Sequence, residues 1–200
     1  MLLLPLFVAL ACSPGGGEGG EVRPLEQVAR GFHGVSLVAR AEAGEVSVEA
    51  AHVDPGDGER ATASDVEVSV SGASELNISA ARSTWELATH RATFEGGVEV
   101  AHGGFTLSCE GLVVQHTPEG EVVSAEASGG VVVSREGLRA EGRVATLDLR
   151  EGAVVIEGGA VITQGPSRVE GERVLLHMTD ERVECEGCRM VVGDFSLERD

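Results

Sequence analysis

FEGGVEV (Phe94–Val100), ASGGVVV (Ala127–Val133) and IEGGAVI (Ile156–Ile162) are three copies of one phrase, and CEGCRMV (Cys185–Val191) is a degraded fourth. The second residue of each central pair falls at Gly97, Gly130, Gly159 and Cys188, in steps of 33, 29 and 29 residues. A second phrase runs between the copies: ISAARSTWEL (Ile78–Leu87), AEGRVATLDL (Ala140–Leu149) and VEGERVLLHM (Val169–Met178), with a weaker copy in CEGLVVQH (Cys109–His116). Each unit is therefore two short alternating segments joined by turns. Self-similarity at a period of this size marks supersecondary units that bury an apolar face only by packing on their neighbours.

Working outward, the text is alternating from Val35 almost to the end. Val46, Val48 and Ala50 share one parity, as do Val66, Val68 and Val70, with Glu and Ser between them. Two-residue alternation bounded by Gly, Pro, Asp and Ser predicts half-buried strands. The turns fall at DPGDGE (Asp54–Glu59), SGASE (Ser71–Glu75), AHGG (Ala101–Gly104), TPEG (Thr117–Gly120) and SREG (Ser134–Gly137), whose residues supply the backbone angles that tight turns demand. No window carries a long helical period. The expectation is an all-β chain of a dozen to sixteen short strands.

The repeat also predicts which residues face together. In the first phrase these are Phe94, Val98 and Val100, then Val131 and Val133, then Val154, Ile156, Ala160 and Ile162. In the second they are Trp85 and Leu87, Leu147 and Leu149, then Leu176 and Met178. The opposite parity is mostly Glu, Thr, Arg and Asp. Successive hairpins thus point one apolar face into a shared interior, either a packed core or a groove left partly open for an apolar ligand.

Composition removes several function classes. A formal net charge of -18, with no Lys and scattered Arg, lacks the basic cluster that a polyanion such as nucleic acid requires. Aromatic residues are 3% of the chain, too few to build stacking platforms. No nucleophile elbow, phosphate loop or dinucleotide fingerprint is present, so no catalytic residue and no cofactor is assigned. His33, His52, His90, His102, His116 and His177 show no paired metal-binding spacing and read as solvated or edge residues. Cys185 and Cys188 form a CxxC, but a tetrahedral site needs further ligands, and both occupy repeat slots held elsewhere by Phe94 or Ile156 and by Gly97 or Gly159. A local disulfide in an oxidising compartment is open to them; a thioredoxin-like role lacks its βαβ context.

MLLLPLFVALAC (residues 1–12) is an apolar run too short to span a bilayer, and it reads as an export signal ending at a lipobox cysteine, Cys12. A non-lipidated signal and a fragment of a longer anchor helix are the other readings. Residues 13–33 open with SPGGGEGGE and read as a flexible tether, with one helical turn around Leu25–Ala29. Residues 34–195 form the single domain and 196–200 a tail.

The text from Ile78 to Val114, and again from Leu138 to Leu176, resembles the OstA-type domain of the lipopolysaccharide export proteins, found in LptA, LptC and the N-terminus of LptD. The upstream stretch Gly34–Val70 and the N-terminal attachment resemble the LptC layout most. The resemblance covers roughly Gly34–Val192 and implies a twisted open β-jellyroll of antiparallel strands, V-shaped in section, with an apolar interior groove. It also implies a non-enzymatic transport component that takes the acyl chains of lipopolysaccharide. Its partners would be other Lpt-type β-jellyrolls stacked edge to edge, with an inner-membrane ABC transporter as the indirect energy source and a lipid anchor to the membrane. The groove residues would be Trp85, Leu87, Phe94, Val98, Val100, Val131, Val133, Leu147, Leu149, Ile156 and Ile162. The alternative is a structural β-repeat lipoprotein of the periplasm or surface, without ligand.

Overall fold

A computed structural model of the chain describes residues 31–41, 44–56, 58–72, 75–118, 122–148, 151–177 and 183–192. Twelve strands occupy them: β1 (Phe32–Ala41), β2 (Gly44–Asp54), β3 (Arg60–Gly72), β4 (Leu76–Glu86), β5 (Arg91–His102), β6 (Phe105–His116), β7 (Val122–Arg135), β8 (Leu138–Asp148), β9 (Ala153–Gln164), β10 (Ser167–His177), β11 (Val183–Glu186) and β12 (Arg189–Val192). Each strand pairs antiparallel with the next, in one sheet ordered β1 to β11, and β12 pairs with β10 beside β11. β1 and the β11–β12 pair are its two edges among the described residues, so the sheet is open, as the resemblance implies. The helical turn at Leu25–Ala29, residues 13–30 of the tether and the tail lie outside the described residues. Phe32 and His33, assigned by sequence to the tether, pair with Val53 and His52 and begin β1, so the tether boundary at 33 is corrected.

The hairpins follow local turn chemistry. β5 passes to β6 through Gly103 and Gly104, whose φ of +55° and +83° are those of the two-residue turn that matches strand twist.

The strands are longer than the alternation predicts, because the Gly-Gly pairs do not end them. Gly96–Gly97, Gly129–Gly130 and Gly158–Gly159 lie inside β5, β7 and β9, all with φ between +75° and +85°. At each pair the ladders on both sides shift register: Glu95 to Val98 opposite β6, Ser128 to Val131 opposite β8, and a matching break at Gly171–Arg173 opposite β9. Three residues separate the inward Phe94 and Val98 on β5, whereas two separate the inward Cys109 and Leu112 on β6. The odd strand carries the extra residue of a bulge, which bends the sheet while keeping apolar side chains on the inside. Gly34 (φ +62°) and Asp65 (φ +49°) extend the line into β1 and β3, Asp being one of the few non-Gly residues that tolerate this conformation. A crease therefore runs across the whole sheet and divides every long strand into two arms.

On one side of it, paired positions link Phe32, Val53, Ala63, Ser83, Phe94, Leu112, Ala127, Ala145, Ile156, Val174 and Cys185 in one unbroken row. On the other, a row runs from Leu37 and Val48 through Val100, Leu107, Val133, Ala140 and Ile162 to Val169. Most of these side chains are buried in one hydrophobic core. Large side chains on β5, β6 and β9 alternate with alanines on β7 and β8, so the two arms close together without overpacking.

Candidate functional site: the apolar cleft between the arms

Ile78, Val100, Leu107 and Val133 come from one arm and Leu112, Val114, Ala125, Leu147 and Val154 from the other, yet all line one cleft. The crease has folded the sheet on itself so that its two inner faces meet. The polar side chain in the lining is His102, whose Nδ1 lies 3.2 Å from the Glu75 carbonyl oxygen at the rim. A void of about 50 Å3 remains inside, within a groove of about 620 Å3 counted out to its open mouth. That void has room for a few waters, but apolar walls give water no partners.

The sequence-predicted groove residues separate into three groups. Val100, Val133 and Leu147 line the cleft itself. Phe94, Val98, Val131, Ile156 and Ile162 are buried in the core along the crease and the arm rows. Trp85 packs against that core at its end, its ring 5.6 Å from Phe94 edge to face, and its indole N–H donates to Ser83 Oγ at 2.9 Å. This accounts for Ser83, the buried polar residue of the core. Leu87 is a correction: β4 ends at Glu86, and Leu87 is 42% exposed in the following turn, so its parity with Trp85 does not carry it inward. Leu149 and Cys12 lie outside the described residues. Sequence reasoning missed Ile78, Leu107, Leu112, Val114, Ala125 and Val154 as cleft residues, although Val154 was placed on the apolar parity. For the even strands the signal was present in the weak repeat copy at Cys109–His116.

Electrostatics add little at the cleft. Burial pushes the Cys109 thiol above its ordinary pKa, and Glu110 adds to this, while backbone hydrogen bonds at Ser128 and Gly111 pull the other way. Ion pairs such as Arg60–Glu86 (2.8 Å), Arg139–Glu141 (2.6 Å) and Arg168–Glu170 (2.7 Å) sit on exposed surface. The His33–His52 and His90–His116 ring pairs bring no further ligand, and no group of three or more metal-ligating side chains occurs among the described residues. Cys185 and Cys188 are joined by a disulfide, so the local bond that the sequence left open is formed. No helix among the described residues is long and apolar enough to cross a membrane.

An open antiparallel sheet, creased along its middle and closed over an apolar cleft, is an open β-jellyroll. The family described as "LptA/(LptD N-terminal domain) LPS transport protein" matches residues 77–182, and the chain belongs to that family. It is a family of transport components. Among solved structures, LptH from Pseudomonas aeruginosa, described as the LptA homologous periplasmic component of the conserved lipopolysaccharide transport device, is similar in fold. The TM-score is 0.54 at 15% sequence identity, over 60% of this chain and 95% of that one. Comparison with curated proteins found no match.

Proposed function

We propose that this chain is a periplasmic segment of the lipopolysaccharide transport route, holding acyl chains between its two arms and passing them to a neighbouring β-jellyroll through its open edges. The observation that carries this reading is the cleft: side chains from six consecutive strands, β4 to β9, converge on it, and one of them, His102, is polar. Apolar chains leave water at about 25 cal/mol per Å2, so such a lining needs no charged anchor. The edges at β1 and at β11–β12, which pair with no further strand among the described residues, are templates for strand addition by another sheet. The chain is not an enzyme; the energy for transport comes from an inner-membrane ABC transporter. Attachment through an acylated Cys12 makes it a membrane-tethered segment, as in the LptC layout that residues 34–70 resemble.

The small void favours a second reading, a packed structural lipoprotein without ligand. Under the transport reading, the arms part at the crease when a long acyl chain enters. A photo-cross-linking residue at Val100 or Val133 in cells separates the two. The transport reading expects adducts that react with antibody to lipopolysaccharide. Folded, exported protein with no such adduct at either position would refute it.

A further inference from the structure

At the C-terminal edge the repeat departs from its own rule. The fourth copy of the phrase supplies Gly187 (φ +66°) and Cys188 where β5, β7 and β9 supply two left-handed glycines. The strand breaks there into two four-residue pieces, β11 and β12, which pair separately with β10. The internal creases are held by hydrogen-bond ladders on both sides, whereas among the described residues this one has a ladder on one side only. The Cys185–Cys188 disulfide spans the break. Cys185 pairs with Val174 and packs partly into the core, while Cys188 is exposed immediately before β12. The neighbouring strand leaves space for this bond: a Cβ added at Gly171 would lie 2.7 Å from Cys188 Sγ and 2.8 Å from Cys185 Sγ.

We propose that this disulfide is a reducible lock on the C-terminal docking edge, standing in for the outer ladder that this edge lacks among the described residues, so that end-to-end association with a second copy depends on its oxidation. The inference rests on the stacking reading above. A dithiol reductant resolves the lock: the Cys185–Cys188 bond breaks, both sulfurs take up the reductant's protons, and the reductant's two thiols close into its own disulfide. β11 and β12 are then two short pieces, each held on one flank, and the edge no longer presents a fixed crease to an incoming strand. Exposure at Cys188 leaves the bond within reach of such a reductant.

The test compares self-association of the full chain by sedimentation before and after dithiothreitol, alongside the C185S/C188S variant, with circular dichroism recorded on each. Expected are an association about tenfold weaker on reduction, the same weak association in the variant under both conditions, and an unchanged strand signal. Equal association of oxidised and reduced protein overturns the lock alone. Absence of association in the oxidised protein overturns the stacking reading and the lock with it. The Gly171→Ala variant serves where C185S/C188S does not fold: its added methyl meets both sulfurs, so it lowers the melting temperature of oxidised protein more than that of reduced protein. Equal effects in the two states would overturn the seating of the lock against β10.

Discussion

The crease makes a sharp prediction at Gly129 and Gly130, adjacent residues that share a left-handed backbone and differ in their surroundings. Gly130 has φ +78° and nothing within 4 Å of an added Cβ, so Gly130→Ala carries the backbone cost alone. For an L-residue that cost is about 1–2 kcal/mol. Gly129 has φ +83°, and its added Cβ would lie 2.6 Å from Glu110 Cβ and 3.0 Å from Glu110 Cγ. Gly129→Ala therefore adds an overpacking cost of about 1–3 kcal/mol to the same backbone cost. Gly130→Asn should cost less than Gly130→Ala, because Asn visits this region with local hydrogen bonding, and Gly130→Val should cost more because it is β-branched. Urea unfolding at equilibrium measures all four, with unchanged m-values required before the midpoints are compared. For a domain of this size each kcal/mol should also appear as about 2–4 °C in melting temperature. The reasoning is refuted if Gly129→Ala is no worse than Gly130→Ala, or if Asn and Val at position 130 cost the same.

Phe94→Ala removes a fully buried ring that Trp85 meets edge-on, so it should cost about 3–5 kcal/mol and shift the single tryptophan's emission to longer wavelength; an unmoved spectrum would place Trp85 elsewhere. Cys109 should resist iodoacetamide in the folded protein, read by mass spectrometry, since burial holds its thiol protonated. Its folded pKa is raised, so its contribution to stability is intact below the unfolded pKa and is lost as pH rises toward the folded value. The chain has no Tyr and no Lys, and Cys185 and Cys188 are bridged, so Cys109→Ala should flatten the alkaline limb of the stability profile; an unchanged limb would contradict this. Arg60→Ala breaks an exposed 2.8 Å ion pair with Glu86 and should change stability by less than about 1 kcal/mol, an effect that shrinks further as salt is raised.

The strand order was legible because a repeat of two phrases, each able to bury one face, stacks in chain order, and β1 to β11 do so. The inward residues next to the crease on β5 and β9, and those after it on β7, were legible because the bulges insert a number of residues that preserves parity: Phe94, Val98 and Val100 all point in. The even strands were not. Cys109 and Leu112 both face inward across an odd step, so a strict alternation of two loses its phase at the crease, and most of the cleft lining went unread. Leu87 failed for a related reason, since parity says nothing about where a strand stops. The disulfide was an open alternative because spacing alone cannot say whether two cysteines face one another. That required knowing that Gly171 opens a space opposite them.

A repeat that adds two strands and one crease element per unit lengthens the cleft without changing its section. The lining then depends on how many units are stacked more than on any single side chain, which is why it is mostly interchangeable Val, Leu, Ile and Ala. Individuality is confined to places where the rule ends. Toward β1 the crease narrows to one left-handed residue in each odd strand, Gly34 and Asp65. Toward β12 the second glycine becomes Cys188 and a covalent bond appears. An interior unit has a neighbour on each side to enforce its bend, whereas an edge unit must carry that constraint within itself. The two edges therefore differ chemically, and under the stacking proposal a head-to-tail array of such domains would have a defined direction.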